Sequence, residues 1–479
     1  MNLASATVPR ARSAIPWLVV SGALVAGSLS GALASLDATA WIALAAIGGA
    51  ALIGSVGIGR LDLLLLAVNV AAIALLPDIR HRDPLDAGRP NPFYDWTFLR
   101  VTAPELLALA AIVAEFLRRR SGSTAPRVGA TPLLAIGCLS LGLLIGLLRG
   151  NELASCLRDG RKLAYVALAH WLVVRVADEP SRRRTLVRVL LAALAARALV
   201  AIGQFLADQG FHYRGFLRSS VDVGDYLGFL ALIFVPAAQL RARAVGRGER
   251  ALLGLLVLLG SAATLTTFSR AAWCAAPIGI AVLLFAPVRC ARPSPRWLTA
   301  LVLLAAVAAP LAFGGLAERA VARVAPLLQP SGDSSVSYRL RELRGAAAIA
   351  ADHPIAGIGF GTRFDAGGAL VDRRRGSETL VHNLFLWSAV KAGGIGLALI
   401  AAILALAAAQ LLRAARGSAD PGAAGGALGL LALLAAFVVM GLVGAMLNQS
   451  RVAFALGLLT GLAQSLGPPA SSPAVERRR

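Results

Sequence analysis

The chain is poor in charge, lysine, histidine and cysteine, and most of these shortages exclude something. Only 15% of its 479 residues are charged, against roughly a quarter in an ordinary soluble domain. It therefore lacks the solvent-facing groups that a soluble globule needs. Lysine occurs twice, at Lys162 and Lys391, so 47 basic residues less 2 leaves 45 arginines. The basic residues do not collect on one soluble domain, which argues against a nucleic-acid face despite a net charge of +22. Cys138, Cys156, Cys274 and Cys290 are scattered in or beside apolar runs and show neither metal-ligand spacing nor a disulfide framework. The chain has no internal repeat and no detachable soluble domain.

What it has is hydrocarbon. Hydrophobic residues make up 57% of the sequence and mean hydropathy is +0.72. The apolar residues cluster into runs of membrane-spanning length. Candidate spans lie near 14–36, 40–59, 61–78, 102–117, 131–148, 162–177, 186–207, 223–240, 251–268, 272–288, 297–316, 384–412, 426–447 and 452–467. The expected fold is an all-α polytopic membrane protein with about 12–14 transmembrane helices and a large external loop carrying short helices. Residues 1–316 would hold spans one to eleven, 317–381 the large periplasmic loop, and 382–479 the C-terminal spans. The first apolar run is longer than a signal-peptide core of about 7–15 residues, so it reads as an uncleaved span. The run after His382 is too long for one crossing, and Ala392-Gly393-Gly394 is where it would divide.

Arginine gives the orientation. With the N-terminus in the cytoplasm, Arg118 to Arg127, Arg182 to Arg184, Arg241 to Arg250, Arg289 to Arg296, Arg413 with Arg416, and Arg477 to Arg479 all fall in cytoplasmic segments. Short basic loops of this kind set topology, whereas long loops cross regardless of charge. The arginine-rich segment 317–381 is thus compatible with the opposite face.

Within that segment Val336 to Ala351 has helical character, with Arg339 and Leu343 on one side. Asp352-His353-Pro354 ends it. Gly357, Gly359 and Gly361 read as a compact loop rather than a phosphate cradle, because no strand precedes them. His382, one of five histidines, lies where this loop meets an apolar helix. Imidazole is the side chain suited to take a proton at neutral pH; the plainer reading is a helix-start or interfacial histidine. Arg270 sits between two apolar runs almost without a loop. Such a cation faces a cavity or partner, or else snorkels to headgroups. Arg214 and Arg339 are further cations on that face, and guanidinium binds phosphate oxygens with two parallel hydrogen bonds. Arg197, inside a span, either snorkels or lines a groove. Trp96, Tyr94 and Phe93 read as interfacial anchors.

Taken in order, RGFLRSSVDVGDYLGF, TTFSRAAW, SVSYRLRELRGAAAIAADHPIAGIGFGTRF, the HN of TLVHNLFLW and the glycines of KAGGIG resemble the O-antigen ligase and O-antigen polymerase superfamily of bacterial envelopes. The resemblance covers roughly residues 200–410. SRAAW departs from it, having alanine where many relatives have glycine after the arginine. The resemblance implies transfer of a glycan from an undecaprenyl-diphosphate-linked donor to an acceptor hydroxyl. That acceptor would be another glycan's end, lipid A-core or a protein, and the reaction would occur on the periplasmic side of the inner membrane. It implies no metal, no other cofactor and no nucleotide sugar. Carried over by motif, His382 would activate the acceptor, and Arg270 and Arg339 would hold the diphosphate, with Arg214 a weaker third match. Asn383 and Glu378 are candidates to orient the imidazole. Expected partners are the lipid-linked donor, the acceptor and membrane lipid, with no nucleic acid.

The chemistry implied is single-step displacement at the anomeric carbon, which inverts it, with guanidinium groups stabilising the departing diphosphate. A reading from another class is a lipid-linked glycan flippase or other polytopic transporter. Such a protein favours charges or helix breaks near mid-membrane, and Arg197 is the feature that supports it. Ligase and polymerase remain equally open, since no residue announces the acceptor.

Overall fold

The computed structural model describes residues 60–75, 79–80, 89–90, 102–119, 126, 128–206, 211–213, 216–218, 223–242, 245–286, 334–364, 381–444 and 446–467. The expected spans 14–36, 40–59 and 297–316 lie outside the described residues.

Twelve α-helices dominate the described residues, in chain order. They are α1 (Leu61–Leu75), α2 (Ala103–Arg119), α3 (Thr131–Leu148), α4 (Leu153–Val176), α5 (Pro180–Leu206) and α6 (Val223–Ala242). After these come α7 (Arg247–Thr266), α8 (Arg270–Phe285), α9 (Ser334–Asp352), α10 (Leu384–Gly417), α11 (Pro421–Val443) and α12 (Ser450–Leu466). Two small antiparallel hairpins accompany them: β1 (Ile79–Arg80) pairs with β2 (Arg89–Pro90), and β3 (Phe211–Tyr213) with β4 (Phe216–Arg218). Six of the helices, α3, α5, α6, α7, α10 and α11, are long and apolar enough to cross a membrane, and α1 and α8 are shorter apolar helices. The protein is an all-α polytopic membrane protein.

The expected boundaries need one clear correction. α4 begins at Leu153, nine residues before the span read at 162–177. Arg158, Asp159, Arg161 and Lys162 imitate a loop in sequence, yet they form the first turns of a continuous helix.

Local signals explain most helix starts. Pro132 and Pro421 occupy first-turn positions of α3 and α11, where their missing N–H is no loss. Asp420 caps α11 by accepting from Gly422 N (2.9 Å), and Asn383 caps α10 by accepting from Leu386 N (2.9 Å). Close approach between helices comes from small residues. A Cβ on Gly457 or Gly461 of α12 would lie 2.6 and 2.8 Å from Ala169 and Val173 Cβ of α4. One on Gly425 or Gly429 of α11 would lie 2.9 and 2.7 Å from atoms of Ala242 and Val235 on α6. Both pairs are glycines four apart, the spacing that lets helix backbones meet where apolar burial supplies no drive.

The helices run up and down between two ends. At one end Gln239 Nε2 donates to Gly422 O (2.9 Å), and at the other Gly224 N donates to Gln449 Oε1 (3.3 Å), so α6 and α11 are antiparallel. The first end also carries an ion-pair network. Arg118 and Arg182 flank buried Asp62. Arg119 and Arg175 meet Glu115, which is fully buried, and Arg119 also reaches Asp178 at 3.0 Å. These arginines belong to the short basic connections, or to the helix ends beside them, that the sequence assigns to one face. The opposite end gathers the N-termini of α6, α8, α10 and α12 and the C-termini of α3, α7 and α11.

Arg197 is paired inside the bundle rather than snorkelling to headgroups. Its guanidinium grips Asp225 with Nε–Oδ1 2.9 Å and Nη2–Oδ2 2.7 Å. Arg451 completes the group, donating to Asp225 Oδ1 (3.0 Å) and to the terminal carbonyls of α1 at Ile73 (2.7 Å) and Ala74 (2.9 Å). A buried carboxylate between two fixed guanidiniums meets the requirement that intramembrane charges be partnered.

Candidate functional site

The site begins with a broken helix. Within α10, Gly393 adopts φ 64° and ψ −164°, which splits the run at the glycines the sequence points to. A break in a membrane helix exposes carbonyls on one half and N–H groups on the other, and these need partners. Residues 353–364, the strap that follows α9, supply four. Ile358 N donates to Val390 O (2.8 Å) and Gly359 N to Lys391 O (2.9 Å), while Gly394 N donates to Pro354 O (2.7 Å) and Ile395 N to Ile355 O (3.3 Å).

The glycine triplet is the contact surface of this strap. Gly357, Gly359 and Gly361 have φ of 72°, 82° and 78°, a region that side chains disfavour. A Cβ at Gly359 would press on the backbone of Gly146 in α3. Between them Phe360, fully buried, stacks on Trp387 at 5.9 Å and fits against Gly142 and Gly160. The compact-loop reading holds, and the triplet cradles helices rather than phosphate. Asp159 then locks the strap: Oδ2 accepts from Gly361 N (2.9 Å) and from Lys391 Nζ (2.9 Å), and Lys391 also donates to Thr362 O (2.8 Å).

Anchored in this way, α9 lies beside the start of α10. His382 stands one residue before the cap Asn383 and two before the helix, with its side chain partly exposed. Its Nδ1 lies 3.0 Å from Glu342 Oε2 and 3.1 Å from Oε1. An ionised carboxylate only accepts, so against an ionised Glu342 it is Nδ1 that donates, and a neutral ring in that pairing has its lone pair on Nε2. Glu342 is 3% exposed. The Tyr338 ring, one turn back on α9, meets the imidazole edge-on at 6.4 Å. Among the described residues His382 makes no hydrogen bond through Nε2.

Arg339, on the same helix, donates from Nη1 to Val443 O (2.6 Å). Asn383 Nδ2 donates to the preceding carbonyl, Leu442 O (2.9 Å). Both therefore bind the C-terminus of α11, and this shared anchor brings Arg339 to the neighbourhood of His382. Asn383 acts as a helix cap and tether rather than as a partner of the imidazole. A guanidinium at a helix C-terminus also faces the favourable end of its dipole.

Arg270 is held differently. α7 and α8 are joined by Thr267, Phe268 and Ser269, and Phe268 takes φ 49°, a conformation rare outside glycine and costing about 1–3 kcal/mol. Packing holds it there: the Phe268 ring is 6.2 Å from Phe205 and 5.7 Å from Trp273. Trp273 Nε1 donates to Thr264 O (3.2 Å), and Ser269 caps α8 through Ala272 N (3.4 Å). The TTFSRAAW motif is thus a tight reversal that sets Arg270 at the first position of α8. α8 packs on α11 and α11 on α10, and Arg270, at the N-terminus of α8, lies at the same end as His382.

Of the residues singled out from sequence, the structure brings His382, Arg339 and Asn383 together and places Arg270 at the same end. Arg214 and Glu378 lie outside the described residues. The carboxylate on the imidazole is Glu342, which sequence reasoning missed. Its only signal was its place in RELRG, three residues after Arg339 and four after Tyr338.

Comparison with known proteins points to one family. Residues 255–401 match the family model described as O-antigen ligase, a stretch that includes Arg270, Arg339, Glu342 and His382. No curated protein matches the chain. From α7 to the middle of α10, this membrane protein is similar to the O-antigen ligase family, in line with the superfamily that its motifs resemble.

Proposed function

We propose that the protein transfers a glycan from an undecaprenyl-diphosphate-linked donor to an acceptor hydroxyl, either a glycan end or lipid A-core. The reaction takes place at the His382 end of the bundle, which we assign to the periplasmic face of the inner membrane. The observation that carries this reading is the His382–Glu342 pair beside Arg339, at the end of the bundle where Arg270 begins α8. The face follows from the short basic connections, which gather at the other end.

His382 Nε2 takes the proton of the acceptor hydroxyl as its oxygen attacks the anomeric carbon. The bond from that carbon to the diphosphate oxygen breaks, and the charge appearing on the leaving group is met by guanidinium donors already in place. Attack opposite the departing group inverts the anomeric centre. The transporter reading rested on Arg197, and Asp225 accounts for that cation.

The test is His382→Ala in a deletion strain. Lipid-linked donor should accumulate and glycan product should vanish, with normal protein abundance. Normal product would remove the base from the mechanism. The chemical nature of the missing product, capped lipid A-core or chain-extended glycan, separates ligase from polymerase.

A further inference from the structure

We infer that Glu342 is the positioning residue of this site: its carboxylate fixes the imidazole of His382 in the one tautomer and orientation that turns Nε2 toward the acceptor. The inference rests on the proposed glycosyl transfer and adds a residue that the motif resemblance does not single out.

Three observations support it. Both carboxylate oxygens lie within hydrogen-bond distance of the same nitrogen, 3.1 and 3.0 Å, so the Nδ1–H is shared between them and the ring is centred on the carboxylate. Glu342 is almost wholly buried while His382 keeps a partly exposed side chain, 4% against 27%. The pair is therefore polarised, with its acidic member inside and its reactive edge outside. The two residues arrive on separate elements, Glu342 on α9 and His382 ahead of α10, so their meeting is a tertiary contact between segments forty residues apart. Among the described residues, the charged and titratable groups near the ring are Glu342, Tyr338 and Arg339 from α9. The end of α11 offers only backbone carbonyls, at Leu442 and Val443.

The proton balance gives the carboxylate its work. As the acceptor oxygen bonds to the anomeric carbon its proton passes to Nε2, and the ring becomes an imidazolium with N–H on both sides. A carboxylate on Nδ1 stabilises that cation as it forms and prevents the tautomer in which Nε2 is already occupied. The diphosphate leaves with the bonding electron pair of the broken C–O bond. The imidazolium returns its proton to solvent or to the departing diphosphate, which restores the starting form.

The experiment uses the full chain purified in detergent. Its donor is the lipid-linked glycan extracted from the deletion strain, and its acceptor is the envelope fraction of that strain. Wild type, Glu342→Gln, His382→Ala and the double variant are compared in kcat, KM and pH profile. Glu342→Gln should lower kcat about 10- to 100-fold with KM little changed, a part of the roughly 10²- to 10⁴-fold that a general base supplies. Loss of the negative charge disfavours the protonated ring, so the acid limb of the kcat profile should move to lower pH. In the His382→Ala background the same glutamine should cost nothing further, because a residue acting through His382 has nothing left to act on.

An unchanged kcat and pH profile in Glu342→Gln, with His382→Ala inactive, would overturn this inference and leave the proposed function standing. Activity retained in His382→Ala would overturn both. Should Glu342→Gln fail to accumulate, Glu342→Asp keeps the charge and shortens the arm. A loss confined to kcat then supports the positioning role, and an undiminished kcat refutes it.

Discussion

Lys391 and Asp159 stand 232 residues apart in the chain and meet at 2.9 Å inside the bundle. Lys391 is one of the two lysines in the protein, it is fully buried, and its ammonium sits 5.3 Å above the Phe364 ring. The pair ties the first half of α10 to the start of α4, and through Gly361 it holds the strap as well. Removing one partner leaves the other, Lys391 fully buried or Asp159 mostly so, without its counter-charge.

Lys391→Met should therefore destabilise the protein by about 3–5 kcal/mol, the usual cost of breaking a buried pair. The double variant Lys391→Met/Asp159→Leu should recover much of that loss, because neither charge is then left alone. Thermal unfolding in detergent reads both. A single variant as stable as wild type would show that the pair is idle.

The strap makes a sharper steric claim. Gly359→Ala places a methyl group against the Gly146 backbone in a conformation that alanine disfavours, and the variant should fail to accumulate in membranes. Gly203→Ala is the control, since a Cβ there meets nothing within 4 Å, and it should accumulate as wild type does. Equal yields would mean that the strap is loosely seated.

In the proposed mechanism Arg270 and Arg339 hold the diphosphate, and lysine separates charge from geometry. A lysine keeps the charge and loses the planar fork, so Arg270→Lys and Arg339→Lys should each lower turnover on the order of 10- to 100-fold, the worth of a charge-assisted hydrogen bond. Because Arg339 also anchors to Val443 O, its variant is checked for abundance as well. Full turnover in both would make these cations structural.

Much of the architecture was readable from the chain because membrane helices announce themselves by apolar length. The break in α10 was readable for a related reason: two glycines interrupt a run too long for one crossing. His382 stood out by scarcity and by its place between loop and helix. Glu342 did not, since a single carboxylate in an arginine-rich helix looks like surface charge balance until its partner, forty residues on, is placed beside it. α4 reads short for the converse reason, because its first turns carry four charges, of which Asp159 finds its partners on the strap and α10. Arg197 looked exceptional only while Asp225 was unassigned to it. In each case the missing information was a pairing across sequence distance, which periodicity and composition do not encode.

The strap has one more consequence. Glu342 and His382 belong to segments that nothing in their local sequence holds in register; the backbone bonds between the strap and the two halves of α10 set that register. The dyad is thus a readout of tertiary closure: a chain with its strap unhooked would keep every reactive side chain and still present no competent base. Proofreading of assembly and competence for chemistry would then coincide in a single latch.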